Sequence, residues 1–257
     1  DKSLAFQAIG KLKKIFKEEK PDIVHTHSSM SGKIASFRSG VKTRMYTRHC
    51  AYEPKKFMTV FPCKQINGFI NNTLSTHIIA VAEAAKENLT DTGVDGNKVK
   101  VILNGVDGLP QVSDEEKAEY RAKFGVEDSE KVISIVARLE DIKGHEYFIE
   151  AAKMLLDDGI DAKFFIAGTG SYEDTLKKKV SDMGLTDKVI FTGFITNVNE
   201  LMSITDIQVN ASYGTEATSL ALLEGMSIGV PAVVSDFGGN PGVIKNGKNG
   251  YVVAKQN

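Results

Sequence analysis

The chain has 257 residues, of which 42% are hydrophobic and 25% are charged. This composition excludes a disordered chain, a collagen-like repeat and a disulfide scaffold, and the length suffices for one large or two modest domains. Cys50 and Cys63 show no paired spacing, which predicts free thiols in a reducing compartment. Because no apolar run approaches the ~20 residues of a membrane helix, we expect a soluble, intracellular protein.

The charge is distributed unevenly along the chain. The net charge is −1, yet residues 1–70 contain 14 Lys and Arg against 5 Asp and Glu. Such asymmetry indicates that one half faces an anionic partner. An anionic membrane surface or a lipid-linked acceptor is one interpretation of this segment, and a solvated lysine face is the other; a nucleic-acid partner is not expected.

The first part of the chain alternates helical and β-branched segments. Apolar residues recur at helical spacing from Leu4 to Ile15, and Pro21 ends that helix. Strands are predicted at 22–27, 43–49, 78–81 and 99–103, with helices near 31–39, 63–74 and 83–90. The turn-rich stretch 104–110 predicts a domain boundary, with domains at 1–105 and 106–257.

In the second part of the chain, predicted strands and helices alternate more regularly. Strands are predicted at 132–137, 163–167, 189–192, 207–210, 232–235 and 251–253. Helices are predicted near 114–124, 144–157, 172–183, 198–202 and 219–227. Strands that alternate with helices predict parallel sheets covered on both faces. Ligands bind beyond the carboxyl ends of such strands, so the residues that follow each strand are the candidates for function.

Two cations follow the strand predicted at 132–137. Arg138 comes directly after it, and Lys143 comes after a four-residue turn. Together they could clamp a diphosphate through charge-assisted hydrogen bonds, although a solvated turn has the same spacing. Gly168-Thr-Gly170 follows the next strand, but Glu173 stands where a dinucleotide fingerprint has its third glycine, which makes a nicotinamide site a weak hypothesis.

Two glutamates lie eight residues apart in the segment from Tyr213 to Pro231. Glu224 sits within an apolar helical run, where an ionised carboxylate is costly without a partner, and ribose hydroxyls would supply one. Glu216 is assigned to the preceding loop. The helix is expected to begin near 218–219, with its free N–H groups directed at an anion. The alternative is a core helix whose glutamate reaches solvent.

The histidines and the absence of an acidic pair bear on metal binding. His25 and His27 alternate on one strand and point to the same side, but no third ligand is close in sequence, so ordinary strand-end histidines are favoured over a metal site. No two aspartates have the D-x-D spacing, which argues against a metal-dependent nucleotide-sugar site. Gly238-Gly239 permits either a close backbone approach to a ligand or a tight turn.

In these segments the chain resembles the retaining glycosyltransferases of the GT-B fold, glycosyltransferase family 4. The resemblance runs from about Pro21 to Val253. Its pieces are Asp22-Ile-Val-His-Thr-His27, Ile102-Leu-Asn-Gly-Val-Asp107, Arg138-Leu-x3-Lys143-Gly144, Glu216-x7-Glu224 and the Gly229–Gly239 segment. Each motif alone is weak evidence for the family, whereas the occurrence of all of them in this order on the predicted elements is specific for it.

The resemblance implies roles for individual residues. Arg138 and Lys143 would hold the β-phosphate side of a nucleotide diphosphate, Glu224 would bind the ribose, and Glu216 would orient the donor sugar at the reacting centre. His49, at the end of a strand in the first domain, would contact the sugar across the cleft. Further nucleotide contacts are assigned to Thr218, Ser219, Leu220 and Gly168.

The implied fold is GT-B, with two Rossmann-like parallel-sheet domains, the first incomplete. The implied reaction moves a sugar from a UDP- or GDP-sugar to a hydroxyl of a sugar or lipid-linked acceptor, with no metal and no protein nucleophile. We expect a role in polysaccharide or glycolipid synthesis, in the cytoplasm or at the inner face of the membrane. The chain resembles a fragment without the first strands and last helices. A non-catalytic nucleotide-sugar-binding fragment and a sugar-nucleotide epimerase are the alternatives.

Overall fold

The computed structural model describes residues 4–256 and contains two compact units. The first unit ends at Asn104, and the second begins at Gly105. Each unit is built around one parallel β-sheet with helices between its strands.

The sheet of the first unit has four strands in the order β1-β2-β3-β4, all parallel. The strands are β1 (Ile23–His27), β2 (Thr43–Arg48), β3 (His77–Ala80) and β4 (Val99–Val101). The helices are α1 (Phe6–Glu19), α2 (Met30–Arg38), α3 (Cys63–Leu74) and α4 (Glu83–Asp91). In the β1–β2 pairing His27 lies opposite Thr47, which brings the carboxyl ends of these two strands side by side.

The sheet of the second unit has six parallel strands in the order β10-β9-β8-β5-β6-β7. The strands are β5 (Lys131–Val136), β6 (Ala162–Ala167), β7 (Val189–Gly193), β8 (Ile207–Asn210), β9 (Ala232–Ser235) and β10 (Gly250–Val253). The chain runs outward from β5 to β7 and then returns to place β8 on the other side of β5. This reversal of strand order is where parallel α/β sheets open a crevice for ligands.

The helices of the second unit are α5 (Asp114–Lys123), α6 (His145–Asp157), α7 (Glu173–Asp182), α8 (Val198–Met202), α9 (Leu220–Ser227) and α10 (Asn240–Val243). Local sequence explains some of their ends. Ser113 caps α5 and exchanges hydrogen bonds with Glu116 in a capping box, which satisfies two N–H groups that the first turn leaves open.

The core of the second unit lies on both faces of its sheet. Four consecutive residues of β5, 132–135, are buried, as expected for a parallel strand that is covered on both sides. Phe164 packs with Phe148 and Ile149 of α6 on one face, while Phe165 packs on the other face with Leu201 of α8. Rigid packing at the centre of the sheet fixes where its strand-end loops begin.

The structure confirms the predicted fold class of two α/β units with parallel sheets. Apart from α10, a short helix that was not predicted, the helices and strands fall within a few residues of the positions predicted from periodicity. Among residues 4–256, no helix combines the length and the apolar character needed to cross a bilayer.

Candidate functional site

The candidate residues of the second unit lie at the carboxyl ends of β5 and β8, which pair directly with each other. The loop after β5 carries Arg138 and Lys143, and the loop after β8 leads to Glu216. The two loops approach at Gly144, where the backbone has a φ of +72° and an added Cβ would lie 2.1 Å from the Ala211 carbonyl oxygen. Glycine is therefore required for this close approach.

The structure brings Lys143 and Glu216 together as an ion pair. The Lys143 Nζ donates to Glu216 Oε2 at 2.9 Å and to the Thr215 carbonyl oxygen at 3.3 Å. Both side chains are largely buried, with exposed fractions of 12% and 10%. Ser212, itself buried, donates its hydroxyl to the same Glu216 oxygen. Within residues 4–256 these two acceptors are the only ones for the Lys143 ammonium. Because an ammonium has three donors, one N–H is left for a further acceptor.

Arg138 is placed differently from Lys143. Its guanidinium donates to Glu140 Oε1 at 2.6 Å, yet the side chain is 70% exposed. An ion pair so open to water contributes little stability. Arg138 can therefore exchange this partner for an anionic ligand at low cost.

Glu224 lies on α9, partly buried, and no residue within 4–256 forms a hydrogen bond or an ion pair with its carboxylate. Burial raises the pKa of Glu224, since desolvation disfavours the charged form. A ligand that donates hydrogen bonds to this carboxylate would offset that cost. The carboxylate is therefore suited to accept hydrogen bonds from the hydroxyl groups of a ligand.

Three of the residues predicted to contact the nucleotide, Thr218, Ser219 and Leu220, lie at the start of α9. The helix begins at Leu220, and the Ser219 hydroxyl caps it by accepting from the Leu222 N–H at 3.3 Å. Thr218 is buried directly before the cap, whereas Leu220 is 51% exposed. The first N–H groups of a helix lack intrahelical acceptors, so this end of α9 presents donors next to the Glu216 loop.

Three glycines let backbone segments meet around these loops. Gly168 follows β6 with a φ of +143°, and a Cβ there would lie 2.0 Å from the Ala137 carbonyl oxygen, just before Arg138. At Gly238 and Gly239, a Cβ would lie 2.1 Å and 1.7 Å from the carbonyl oxygens of Glu216 and Ala217, respectively. These glycines therefore support the loops that carry the candidate side chains. Gly168, which was predicted to contact a nucleotide, closely approaches the backbone of Ala137 in the structure.

Sequence reasoning missed two polar side chains beside the site. Ser212 holds Glu216, and the Tyr213 hydroxyl donates to Asp141 in the loop after β5. Burial, followed by the Asp141 bond, raises the pKa of Tyr213, so its hydroxyl stays protonated. The position of both residues directly after β8 is the signal that could have identified them.

His145 is the first residue of α6 and is 1% exposed. Burial, with a smaller effect of Lys143, lowers the pKa of His145 to about 4, because desolvation disfavours the imidazolium. The ring is therefore neutral at physiological pH.

His49 belongs to the first unit, where it joins the two strand-end histidines. Its Nε2 lies 2.6 Å from His27 Nδ1 in a hydrogen bond, and the His25 and His27 ring centroids are 4.4 Å apart. Burial, followed by His27, lowers the pKa of His49. Within residues 4–256 no cluster of histidine, cysteine or acidic side chains has the arrangement of a metal site. The predicted contact of His49 with a sugar stays a prediction.

Family models match both units of the chain. The model described as glycosyl transferases group 1 matches residues 116–257, and the model described as glycosyltransferase family 4 matches residues 1–108. The first of these covers more than half of the chain.

Among curated proteins, the chain is 32% identical to the UDP-Gal:alpha-D-GlcNAc-diphosphoundecaprenol alpha-1,3-galactosyltransferase of Escherichia coli, over 94% of this chain and 65% of that protein. It is 26% identical to the alpha-monoglucosyldiacylglycerol synthase of Streptococcus pneumoniae, over 94% of this chain and 57% of the relative. The chain thus spans somewhat less than two thirds of the length of these relatives.

Solved structures agree on the architecture. Anabaena HepE in complex with UDP-glucose aligns with a TM-score of 0.85 at 23% identity, covering 96% of this chain and 68% of HepE. TarM of S. aureus aligns with a TM-score of 0.77 at 20% identity, covering 97% of this chain and 49% of TarM. These alignments and the two parallel sheets define a protein of the GT-B fold class. With the family models, they show that the chain belongs to the glycosyl transferases group 1 family.

Proposed function

We propose that this chain provides the donor site and part of the acceptor side of a glycosyltransferase that moves a sugar from a nucleotide diphosphate sugar to a hydroxyl acceptor. The observation that carries the proposal is the buried Lys143–Glu216 pair at the β5–β8 crevice, beside the exposed Arg138 and the start of α9. It places cations, a carboxylate and helix N–H donors around one strand-end crevice. That combination suits a pyrophosphate between two hydroxyl-rich groups.

In this proposal the pyrophosphate of the donor takes the open N–H of Lys143 and the guanidinium of Arg138. The ribose hydroxyls donate to Glu224, and Glu216 orients the transferred sugar while it holds Lys143 in place. The E. coli relative is named for a UDP-galactose donor, and HepE was crystallised with UDP-glucose. These names support a UDP-sugar donor for this chain, with a GDP-sugar as the alternative.

We further propose that the transfer retains the configuration of the anomeric carbon and needs no metal ion. The bond between the anomeric carbon and the phosphate oxygen breaks, and the acceptor oxygen bonds to the same face of that carbon. The acceptor proton passes to the departing phosphate oxygen. Lys143 and Arg138 stabilise the negative charge that develops there, and such preorganised charge supplies much of the rate enhancement in many enzymes.

The acceptor proposed is a sugar or a lipid-linked sugar in polysaccharide or glycolipid synthesis, handled at the cytoplasmic face of a membrane. The names of the two curated relatives support this class, since one names GlcNAc-diphosphoundecaprenol and the other is an alpha-monoglucosyldiacylglycerol synthase. The first unit also exposes three phenylalanines, Phe57, Phe61 and Phe69, in a segment that begins with the exposed Lys55 and Lys56. Aromatic and basic side chains together favour binding to an anionic membrane surface.

The decisive experiment is titration of UDP, GDP and ADP into the chain by calorimetry, followed by product analysis with the full-length enzyme. Lys143→Ala is expected to weaken nucleotide diphosphate binding at least tenfold and to lower turnover of the full-length enzyme by about 10²–10³-fold. Lys153→Ala is the matched control, because Lys153 lies on α6 in an ion pair with Asp157. NMR of the product determines whether the anomeric configuration is retained.

Binding of nucleotide sugar without transfer would favour the non-catalytic binding fragment, and epimerised donor would favour the epimerase. Equal UDP affinity in the wild-type chain and in Lys143→Ala would contradict the donor site itself.

A further inference from the structure

The first unit contains a charged cavity of about 370 Å³, and all of its lining residues precede Asn104. Lys33 of α2 and Arg48 at the end of β2 line it, together with side chains of α3 and α4. We refer to it as the Lys33–Arg48 pocket. Its volume lies within the range of small-molecule sites.

Lys33 is only 4% exposed, which is rare for a lysine. Its ammonium donates to Asn71 Oδ1 at 2.8 Å and lies 4.2 Å from the centroid of the Tyr46 ring. Asn71 is held in this orientation because its amide group donates to the carbonyl and the side-chain oxygen of Asn67. The amide oxygen that meets Lys33 is therefore fixed by a hydrogen-bond network.

The guanidinium of Arg48 is likewise held by hydrogen bonds and by an aromatic ring. Its Nε donates to the Cys50 carbonyl oxygen at 3.0 Å, and another guanidinium nitrogen donates to Asn88 Oδ1 at 2.9 Å. The guanidinium also lies 4.6 Å from the centroid of the Tyr52 ring. These contacts are all to neutral groups.

Neither cation has an acidic partner: over residues 4–256, no carboxylate lies within ion-pair distance of Lys33 or Arg48. Burial, followed by the charge of Arg48, lowers the pKa of Lys33 to about 8. Buried charges are normally paired or neutralised. Two neighbouring cations therefore share one cavity that has no carboxylate among the described residues, so a bound anion would be stabilised there.

We propose that the Lys33–Arg48 pocket binds the phosphate group of a small phosphorylated molecule. A phosphate monoester carries a charge of about −1.5 to −2 at neutral pH, which matches the two cations. Met30, the first residue of α2, also lines the cavity, so the positive end of a nine-residue helix adds to the field. Its lining residues belong to the first unit, whereas the residues of the proposed donor site belong to the second.

The test is an NMR titration of the isotope-labelled chain with inorganic phosphate and with glycerol 3-phosphate, against glycerol and chloride at equal ionic strength. Residue-specific signals separate this pocket from any phosphate that binds in the second unit. We expect saturable shifts at Lys33, Arg48 and the Asn71 and Asn88 side chains, seen only with the phosphates. Lys33→Met should weaken this binding at least tenfold, and Lys100→Met, which removes an exposed lysine of β4, should leave it unchanged.

Vesicles of phosphatidylcholine with and without phosphatidic acid form a second arm. A response to glycerol 3-phosphate supports the pocket with a soluble ester as its source, and a response only to phosphatidic acid supports it with a lipid headgroup. The proposal is overturned if the Lys33 and Asn71 signals stay unchanged in both arms, or if Lys33→Met binds phosphate as tightly as the wild-type chain. The first of these readouts needs no variant, so it holds even if a variant folds poorly. Failure here leaves nucleotide binding at Lys143 untouched.

Discussion

Replacing Lys33 by methionine should stabilise the first unit in the absence of phosphate. The pKa of Lys33 falls from 10.5 to about 8 in the folded chain. At 1.36 kcal/mol per pKa unit this lowering corresponds to a cost of about 3 kcal/mol for the charged form. The substitution also removes the hydrogen bond to Asn71, which contributes about 1 kcal/mol. We therefore expect the free energy of unfolding of Lys33→Met to exceed that of the wild-type chain by about 2 kcal/mol at neutral pH.

The gain should depend on pH in a defined direction. Below about pH 8 both the folded and the unfolded wild-type chain hold the Lys33 proton, so the full cost is present. Between about pH 8 and 10.5 the unfolded chain binds more protons at this site than the folded chain, and wild-type stability therefore rises with pH through this window. The advantage of Lys33→Met should accordingly shrink through this window, and near its upper end the wild-type chain, which keeps the hydrogen bond to Asn71, should be the more stable by about 1 kcal/mol.

The assay is urea unfolding followed by circular dichroism at about pH 7 and about pH 10, in buffers free of phosphate and sulfate, because a bound anion would itself stabilise the folded chain. Lys33 belongs to the first unit, so only the transition of that unit should move. Lys100→Met should change stability by less than about 0.5 kcal/mol. If Lys33→Met is less stable than the wild-type chain at neutral pH, Lys33 is a structural residue and the electrostatic reasoning is wrong.

Two further predictions concern the membrane surface and the loop that supports Glu216. Phe61→Ser combined with Phe69→Ser removes two side chains that are 80% and 73% exposed; binding to anionic vesicles should fall at least tenfold in sedimentation assays, whereas Phe194→Ser, 74% exposed in the second unit, should have no effect. Equal partitioning of the wild-type chain onto neutral and anionic vesicles would rule out the membrane proposal. Gly239→Ala places a methyl group 1.7 Å from the Ala217 carbonyl oxygen, so calorimetry should show both lower thermal stability, by about 1–3 kcal/mol, and weaker UDP binding. Gly242→Ala, with open space around its Cβ position, should preserve both, and equal behaviour of the two variants would argue against a tight loop contact.

The sequence by itself determined the order and type of the elements. Helical spacing of apolar residues and short β-branched runs located most strands and helices, because burial on one or two faces leaves a period that is visible locally. Alternation then predicted parallel sheets, and the rule that ligands bind after the strands singled out Arg138, Lys143 and Glu216. Their individual roles came from resemblance to a family rather than from spacing.

Only the tertiary structure decided which of these residues meet. Lys143 and Glu216 are 73 residues apart, and they pair because the chain returns from β7 to place β8 beside β5. In the same way the parallel pairing of β1 and β2 brings His27 to His49, and the packing of α2 against β2 and α3 buries Lys33. A local period records which face of a segment is buried but not which partner covers it. Strand order and the resulting side-chain neighbours therefore depend on long-range packing that no single segment contains.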